Sequence, residues 1–203
     1  MDHITRRTML KRAGMTVATL ALPTGKTAGA QALPFFGWNF YGAVCTLAVH
    51  HFDDLLPVFR EVHRVLDKGK FVVLTAMPEQ TQSYWLNKYF PEAMRMSIEQ
   101  MPALDLVTGA LTQAGFTSLE TEGFDIRNDL QDFFLYSGKH RPEMYLDEGV
   151  RRGISTFASL ADPAEVAGGC LRLAADIRSG RINEVMAAYE NRGGDYLFVI
   201  ATK

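Results

Sequence analysis

A mainly apolar run over 43–49, with Thr46 its one hydroxyl residue, includes β-branched side chains and is bounded by Gly42 and by the polar pair His50-His51. A short run of this kind suits a central parallel strand buried on both faces. Asp53 or Asp54 stands where a following helix needs a side-chain cap, and Pro57 is tolerated in its first turn. Leu55, Phe59, Val62 and Leu66 then recur at helical spacing, with Val58 and Val65 widening the stripe and Arg60, Glu61 and Arg64 on the other face. Lys68-Gly69 is expected to end this helix, and residues 70–77 read as a second buried strand. Strand, helix and strand in about 35 residues predict a right-handed βαβ unit.

After Pro78 the pattern changes. Residues 79–101 hold Tyr84, Trp85, Tyr89, Phe90, Met94, Met96 and Met101, and prolines 91 and 102 divide the region into short helical pieces. Residues 102–114 read as an amphipathic helix on Leu104, Val107 and Leu111, stopped by Gly115. A strand is expected over 116–124. Residues 125–192 look mainly helical, with helical stretches at 129–137, 147–160, 163–178 and 182–191 and a loop at 138–142. Gly193-Gly194 precedes a strong final strand over 195–202.

A chain of 203 residues, 47% hydrophobic and of formal net charge −2, is expected to form a soluble globular domain, with no basic excess to favour nucleic acid. No apolar run reaches the roughly 18 residues a membrane span needs. Cys45 and Cys170 give no disulfide framework, and Cys45 is expected as a buried free thiol in a reducing compartment. Arg6-Arg7, the mildly apolar residues 13–23 and the small residues 28–32 also fit a twin-arginine export signal, which is the alternative to a cytoplasmic location.

Ligands of open α/β sheets bind outside the carboxyl ends of the strands, which places His50, His51 and Asp53 where chemistry is expected. Neighbouring strand residues face opposite ways, so at most one of the two histidines points into a common pocket and the pair cannot chelate a metal. His50 is the candidate general base, since imidazole titrates near neutrality. Tyr84, Trp85 and Tyr89 fit either a substrate pocket or a core. Lys139, His140 and Arg141 fit either an anion-binding loop or a solvated one. Metal-ligand spacings, a phosphate-binding loop and a nucleophile elbow are absent from the sequence.

Leu33-Pro-Phe35, Tyr41-Gly-Ala-Val44, His50-His-Phe52, Arg60-Glu-Val-His-Arg-Val-Leu66 and Gly69 follow in an order that resembles the class I S-adenosylmethionine (SAM)-dependent methyltransferases of the type 11 kind. Ala114-Gly-Phe116 and Asp195-Tyr-Leu-Phe198 resemble the last elements of that family, and residues 2–32 resemble it weakly. The resemblance implies a doubly wound, mostly parallel α/β sheet. Its fourth to seventh strands would be residues 43–49, 70–77, 116–124 and 195–202, the last two antiparallel at the sheet edge. Residues 1–124 and 193–203 would form the methyltransferase-like domain, and 125–192 a helical insertion serving as a lid or as an oligomerisation element of a homo-oligomer. The implied activity is methyl transfer from SAM to a small-molecule acceptor, with catalysis mostly by positioning. Asp2 would hold the ribose hydroxyls, Ala30 and Gln31 the adenine, and Thr46, Leu47 and His51 the cofactor at the strand end. His50 would be the base, and Tyr84, Trp85 and Tyr89 would line the acceptor pocket.

Three departures from the family pattern accompany this. No Gly-rich loop is present, and Gly25 and Gly29 do not follow an acid-ended strand. The first strand is missing, which leaves an exposed edge on residues 43–49 or recruits residues 15–22. Gly42 stands where an acid is common. The expectation is therefore an N-terminally truncated member with an incomplete sheet, and the alternative is a non-catalytic remnant acting as a binding or oligomeric partner.

Overall fold

The structure, a computed structural model, describes residues 40–189 and 193–203. The expectations placed on Asp2, Ala30, Gln31 and residues 15–22 lie outside the described residues. In chain order the elements are β1 (Phe40–Thr46), α1 (Leu55–Val65), β2 (Leu66–Thr75), α2 (Pro78–Ser83), α3 (Pro91–Glu99), α4 (Leu104–Ala114) and β3 (Ser118–Phe124). Then come α5 (Glu148–Arg152), α6 (Pro163–Ser179), α7 (Ile182–Ala187) and β4 (Tyr196–Thr202). Tight 3-10 turns lie at Val49–His51, Trp85–Lys88 and Pro142–Leu146, and a π turn at Thr156–Leu160. The chain forms two compact units. One comprises residues 40–77, Met101–Phe124 and Tyr196–Lys203, and the other Pro78–Gln100 and Asp125–Asp195.

The first unit carries a four-stranded sheet of order β1-β2-β4-β3 among the described residues. β1 and β2 run parallel, joined through α1, and β4 is antiparallel to both β2 and β3. The expected antiparallel pairing of the last two strands is therefore present. β2 is central: Val73 pairs with Cys45 on one side and Val199 on the other, which accounts for its run of buried residues from Phe71 to Thr75. α1 starts on Asp54, whose Oδ1 accepts the Leu56 N–H at 3.0 Å. Its Phe59 meets Phe71 edge-on at 5.4 Å, and Val107 and Leu111 of α4 join the same core. Gly115, at φ +106, ends α4 in the left-handed conformation.

Two boundaries differ from the sequence reading. The apolar run 43–49 is not one strand: β1 stops at Thr46, Leu47 takes φ +51, and Val49 is buried within a 3-10 turn. Periodicity cannot separate these, because core residues of a strand and of the turn that follows it are equally apolar. Gly69 does not end the helix either. α1 stops at Val65 and Gly69 lies inside β2, opposite an irregularity in register between Phe40 and Gly42.

The second unit is helical and aromatic. α6 is capped by Asp162, which accepts the Ala164 N–H at 2.8 Å, and it ends at Gly180 with φ +80. The helix expected over 129–137 is absent and the segment forms turns. The Ser137 hydroxyl takes the Phe134 N–H at 2.6 Å and reaches the Asp132 carbonyl at 2.8 Å, so a side chain claims backbone groups that a helix would pair. The helix expected over 147–160 divides into α5 and the π turn after Gly153, and α7 is shorter than the expected 182–191.

Candidate functional site

The carboxyl ends of β1 and β2 meet at a single polar turn. Thr46 pairs with Leu74, and the Leu47 N–H closes the ladder on the Leu74 carbonyl at 2.8 Å. A non-glycine residue at φ +51 costs of order 1 kcal/mol or more and persists only where its surroundings impose it. Here the turn is held from both sides. The His51 N–H bonds the Ala48 carbonyl at 3.0 Å, the Phe52 N–H bonds the Val49 carbonyl at 3.2 Å, and the Val49 side chain is buried.

His50 and His51 leave this turn together. Because they lie in a 3-10 turn and not in a strand, the expected alternation does not separate them, and their rings sit 4.0 Å apart at 47°. His51 is exposed and His50 half-buried. Nδ1 of His50 is buried with no hydrogen-bond partner among the described residues. An unmet buried polar atom costs about 1–3 kcal/mol, so a site that fills it gains that much in affinity or stability. Burial first, and the neighbouring His51 charge second, push the His50 pKa down to about 4, so the ring is neutral at neutral pH. Of the two acids that follow, Asp54 is engaged as the cap of α1 and Asp53 is exposed. Cys45 lies one residue before Thr46 as a free thiol whose pKa burial pushes up to about 12, so it is neither a thiolate nucleophile nor a ready metal ligand. Among the described residues no group of three or more His, Cys, Asp or Glu side chains is placed to hold a metal.

SAM, which the family resemblance implies, carries a sulfonium cation that residues 46–54 would not oppose with a basic side chain. Residues 46–54 contain no Lys or Arg. His50 is held neutral, and its buried Nδ1 has no partner among the described residues.

In the second unit, Tyr84, Trp85 and Tyr89 are buried side by side. The Tyr84 and Tyr145 hydroxyls are 2.7 Å apart, and the Tyr89 hydroxyl donates to Asp176 at 2.8 Å. Trp85 Nε1–H is buried without a partner among the described residues. Burial raises the pKa of each of these tyrosines, as it does for Tyr136 and Tyr189, so all of them stay protonated donors. The loop side chains turn inward: Lys139 pairs with Asp195 at 2.6 Å, His140 Nε2 meets the Ile126 carbonyl at 2.9 Å, and Arg141 donates to the Leu130 carbonyl at 2.6 Å.

Asp195 is the residue that sequence reasoning missed. Fully buried, it accepts from Tyr189 at 2.8 Å, from the Ile126 N–H at 2.7 Å and from Lys139. It reads in sequence as the first residue of a strand, and its three donors come from positions 6, 56 and 69 residues away. No local pattern carries such a contact.

The family model described as methyltransferase domain matches residues 5–74. A crystal structure of a protein named as a methyltransferase from an antibiotic biosynthesis pathway of Anabaena variabilis is 32% identical, with 87% of this chain and 72% of that one covered, at a TM-score of 0.76. A SAM-dependent methyltransferase from Thermotoga maritima matches at 13% identity, over 86% of this chain and 60% of that one, with a TM-score of 0.44. A protein named as a sarcosine dimethylglycine methyltransferase from Galdieria sulphuraria matches at 20% identity, over 87% and 57%, with the same TM-score of 0.44. Among curated proteins no sequence matches the chain. Among the described residues no helix is long and apolar enough to cross a membrane. The chain belongs to the class I SAM-dependent methyltransferase family.

Proposed function

We propose that the protein transfers the methyl group of SAM to a small organic acceptor. The observation that carries this is the turn at the joined carboxyl ends of two parallel strands, with a neutral, buried imidazole nitrogen at its head that has no partner among the described residues. When bound, SAM supplies an electrophilic methyl group on a sulfonium. The chain's own contribution is position. The backbone of Thr46 and Leu47 and the exposed ring of His51 would contact SAM, while Asp2, Ala30 and Gln31, outside the described residues, would take the ribose and adenine roles that the family resemblance assigns. The small-molecule reading has two supports: the relative at 32% identity is named for an antibiotic biosynthesis pathway, and a net charge of −2 offers nothing to a phosphate backbone. Tyr84, Trp85 and Tyr89 are assigned to acceptor recognition, supported by the buried Trp85 Nε1–H, which has no partner among the described residues. The helical insertion expected over residues 125–192 is assigned as a lid or an oligomerisation element, and the free thiols of Cys45 and Cys170 support a reducing, cytoplasmic location.

A second reading, a methyltransferase-like chain that binds partners without turnover, rests on one feature: no Gly-rich loop follows an acid-ended strand in the sequence. Calorimetric titration with SAM, followed by assay of S-adenosylhomocysteine release across small hydroxylated and aminated compounds, separates the two. Binding with turnover supports the enzyme. Binding of neither SAM nor its product supports the partner reading.

A further inference from the structure

We propose that the outer face of α6 docks a second copy of this chain, the two α6 helices packing antiparallel across a two-fold axis. The inference rests on the oligomerisation role assigned above to residues 125–192 and names the surface and the partner.

The two sides of α6 are built differently. On the inner side Leu173 is buried, and Gly169 lies so close to Phe90 that an added Cβ would stand 2.4 Å from its ring. Polar groups fix the same helix in place. Glu165 accepts the Glu92 and Ala93 N–H groups, Arg172 donates to the Tyr89 carbonyl at 2.7 Å, and Asp176 accepts the Tyr89 hydroxyl. The outer side is thereby held in a fixed direction. Ala164, Ala167, Leu171, Ala175 and Arg178 follow there at helical spacing, all of them exposed, with Leu171 at 73%. A helix face that meets only water ordinarily carries charge. α3 obeys this, with Arg95 bridging Glu92 and Glu99 at 2.9 and 2.6 Å. On α6 no charge enters the row before Arg178.

The row is complementary to itself. Leu171 protrudes, and Gly168, one turn earlier, is a notch where an added Cβ would meet only the tip of the Arg172 side chain, at 3.3 Å. With the axis passing between Gly169 and Cys170, Leu171 enters the notch at the partner's Gly168, and Ala175 meets the partner's Ala164. A two-fold contact makes each pairing twice, so one knob and one notch on the same face are enough. Charge chooses the direction. Parallel packing would set Arg178 against its own image. Antiparallel packing brings Arg178 beside the partner's Asp162, the exposed N-cap of the opposite helix, and opposes the two helix dipoles. A helix of 17 residues is about 25 Å long. One such pair buries less than the roughly 1,200 Å² at which standard interfaces begin, so the dimer is weak, with a dissociation constant of about 10–100 μM.

The test is analytical ultracentrifugation of the full chain from about 1 μM to about 1 mM. Wild type should pass from monomer to dimer within that range. L171E, which places charge on the knob, and G168L, which fills the notch, should each weaken association about tenfold or more, with unchanged melting temperatures because both positions face outward. R178A should weaken it about two- to fivefold, since the contact with the partner's Asp162 is lost. Y41E is the control: Tyr41 is 81% exposed on β1, away from α6, and this variant should associate as wild type does. Monomer at every concentration, association untouched by L171E and G168L, or loss in Y41E alone overturns the proposal. A tighter dimer in R178A overturns the antiparallel arrangement. L171E should bind SAM as wild type does. A dimer sensitive to L171E in a chain that fails to bind SAM would contradict the methyltransferase reading alone.

Discussion

Gly69 lies so close to Tyr41 that a Cβ built on it would stand 2.0 Å from the Tyr41 carbonyl oxygen. Two backbones, β1 and β2, are in contact at this point, and Gly69 holds φ +150 there. Gly69→Ala brings both a backbone clash and a disfavoured conformation. It should destabilise the fold by about 3 kcal/mol in urea denaturation. A change below about 0.5 kcal/mol would show that the two strands separate freely at this point.

Asp195 should be the most sensitive polar residue of the helical unit. Asp195→Ala leaves Lys139, the Tyr189 hydroxyl and the Ile126 N–H without their acceptor in a buried setting. Loss of one partner from such a pair costs about 3–5 kcal/mol. Thermal unfolding of D195A beside K139M gives the measurement, and non-additivity in the double variant should show that the two act on each other.

Glu165 on α6 caps another helix. Its two carboxylate oxygens accept the Glu92 and Ala93 N–H groups at 2.7 and 3.0 Å, at the start of α3. Phe90, the N-cap residue, supplies no side-chain cap of its own. Glu165→Ala should cost about 1 kcal/mol, and hydrogen exchange should speed up first at Glu92 and Ala93. Uniform exchange across α3 would contradict the capping role.

The strand–helix–strand core was legible because its signal is local. The helical stripe Leu55–Phe59–Val62, the Asp54 cap and the buried run of β2 all lie within one stretch of chain. What the sequence hid depends on backbone detail or distant partners. Leu47 turns the chain at a positive φ that leucine seldom adopts, so no residue type announced the end of β1. Gly69 read as a helix stop because glycine serves turns and close approaches alike. The segment 129–137 has apolar spacing suited to a helix, yet Ser137 and Arg141 take its backbone groups. At the candidate site, the histidine pair was visible in sequence. Its shared turn, and an Nδ1 with no partner among the described residues, depend on backbone geometry that spacing does not carry.

The pH dependence of stability should carry a His50 signature. The unfolded chain protonates this ring near its ordinary value of 6.5, and the folded protein only near about 4, so between these values the unfolded state holds more protons. Stability therefore falls as pH drops from 6.5 toward 4, and the His50 contribution is fully present above that window. In H50Q the fall should be shallower but not absent, because His63 is shifted in the same direction by burial and by Lys203. Urea midpoints across the window check this, and an unchanged slope in H50Q would place His50 in water.

The most direct measurement is calorimetric titration of the full 203-residue chain with SAM. A single site with a dissociation constant of about 1 μM or tighter, and a matching rise in melting temperature, is the result expected of a working methyltransferase. Neither heat nor thermal shift with SAM at about 1 mM would contradict the proposed function, because methyl transfer would then have no donor.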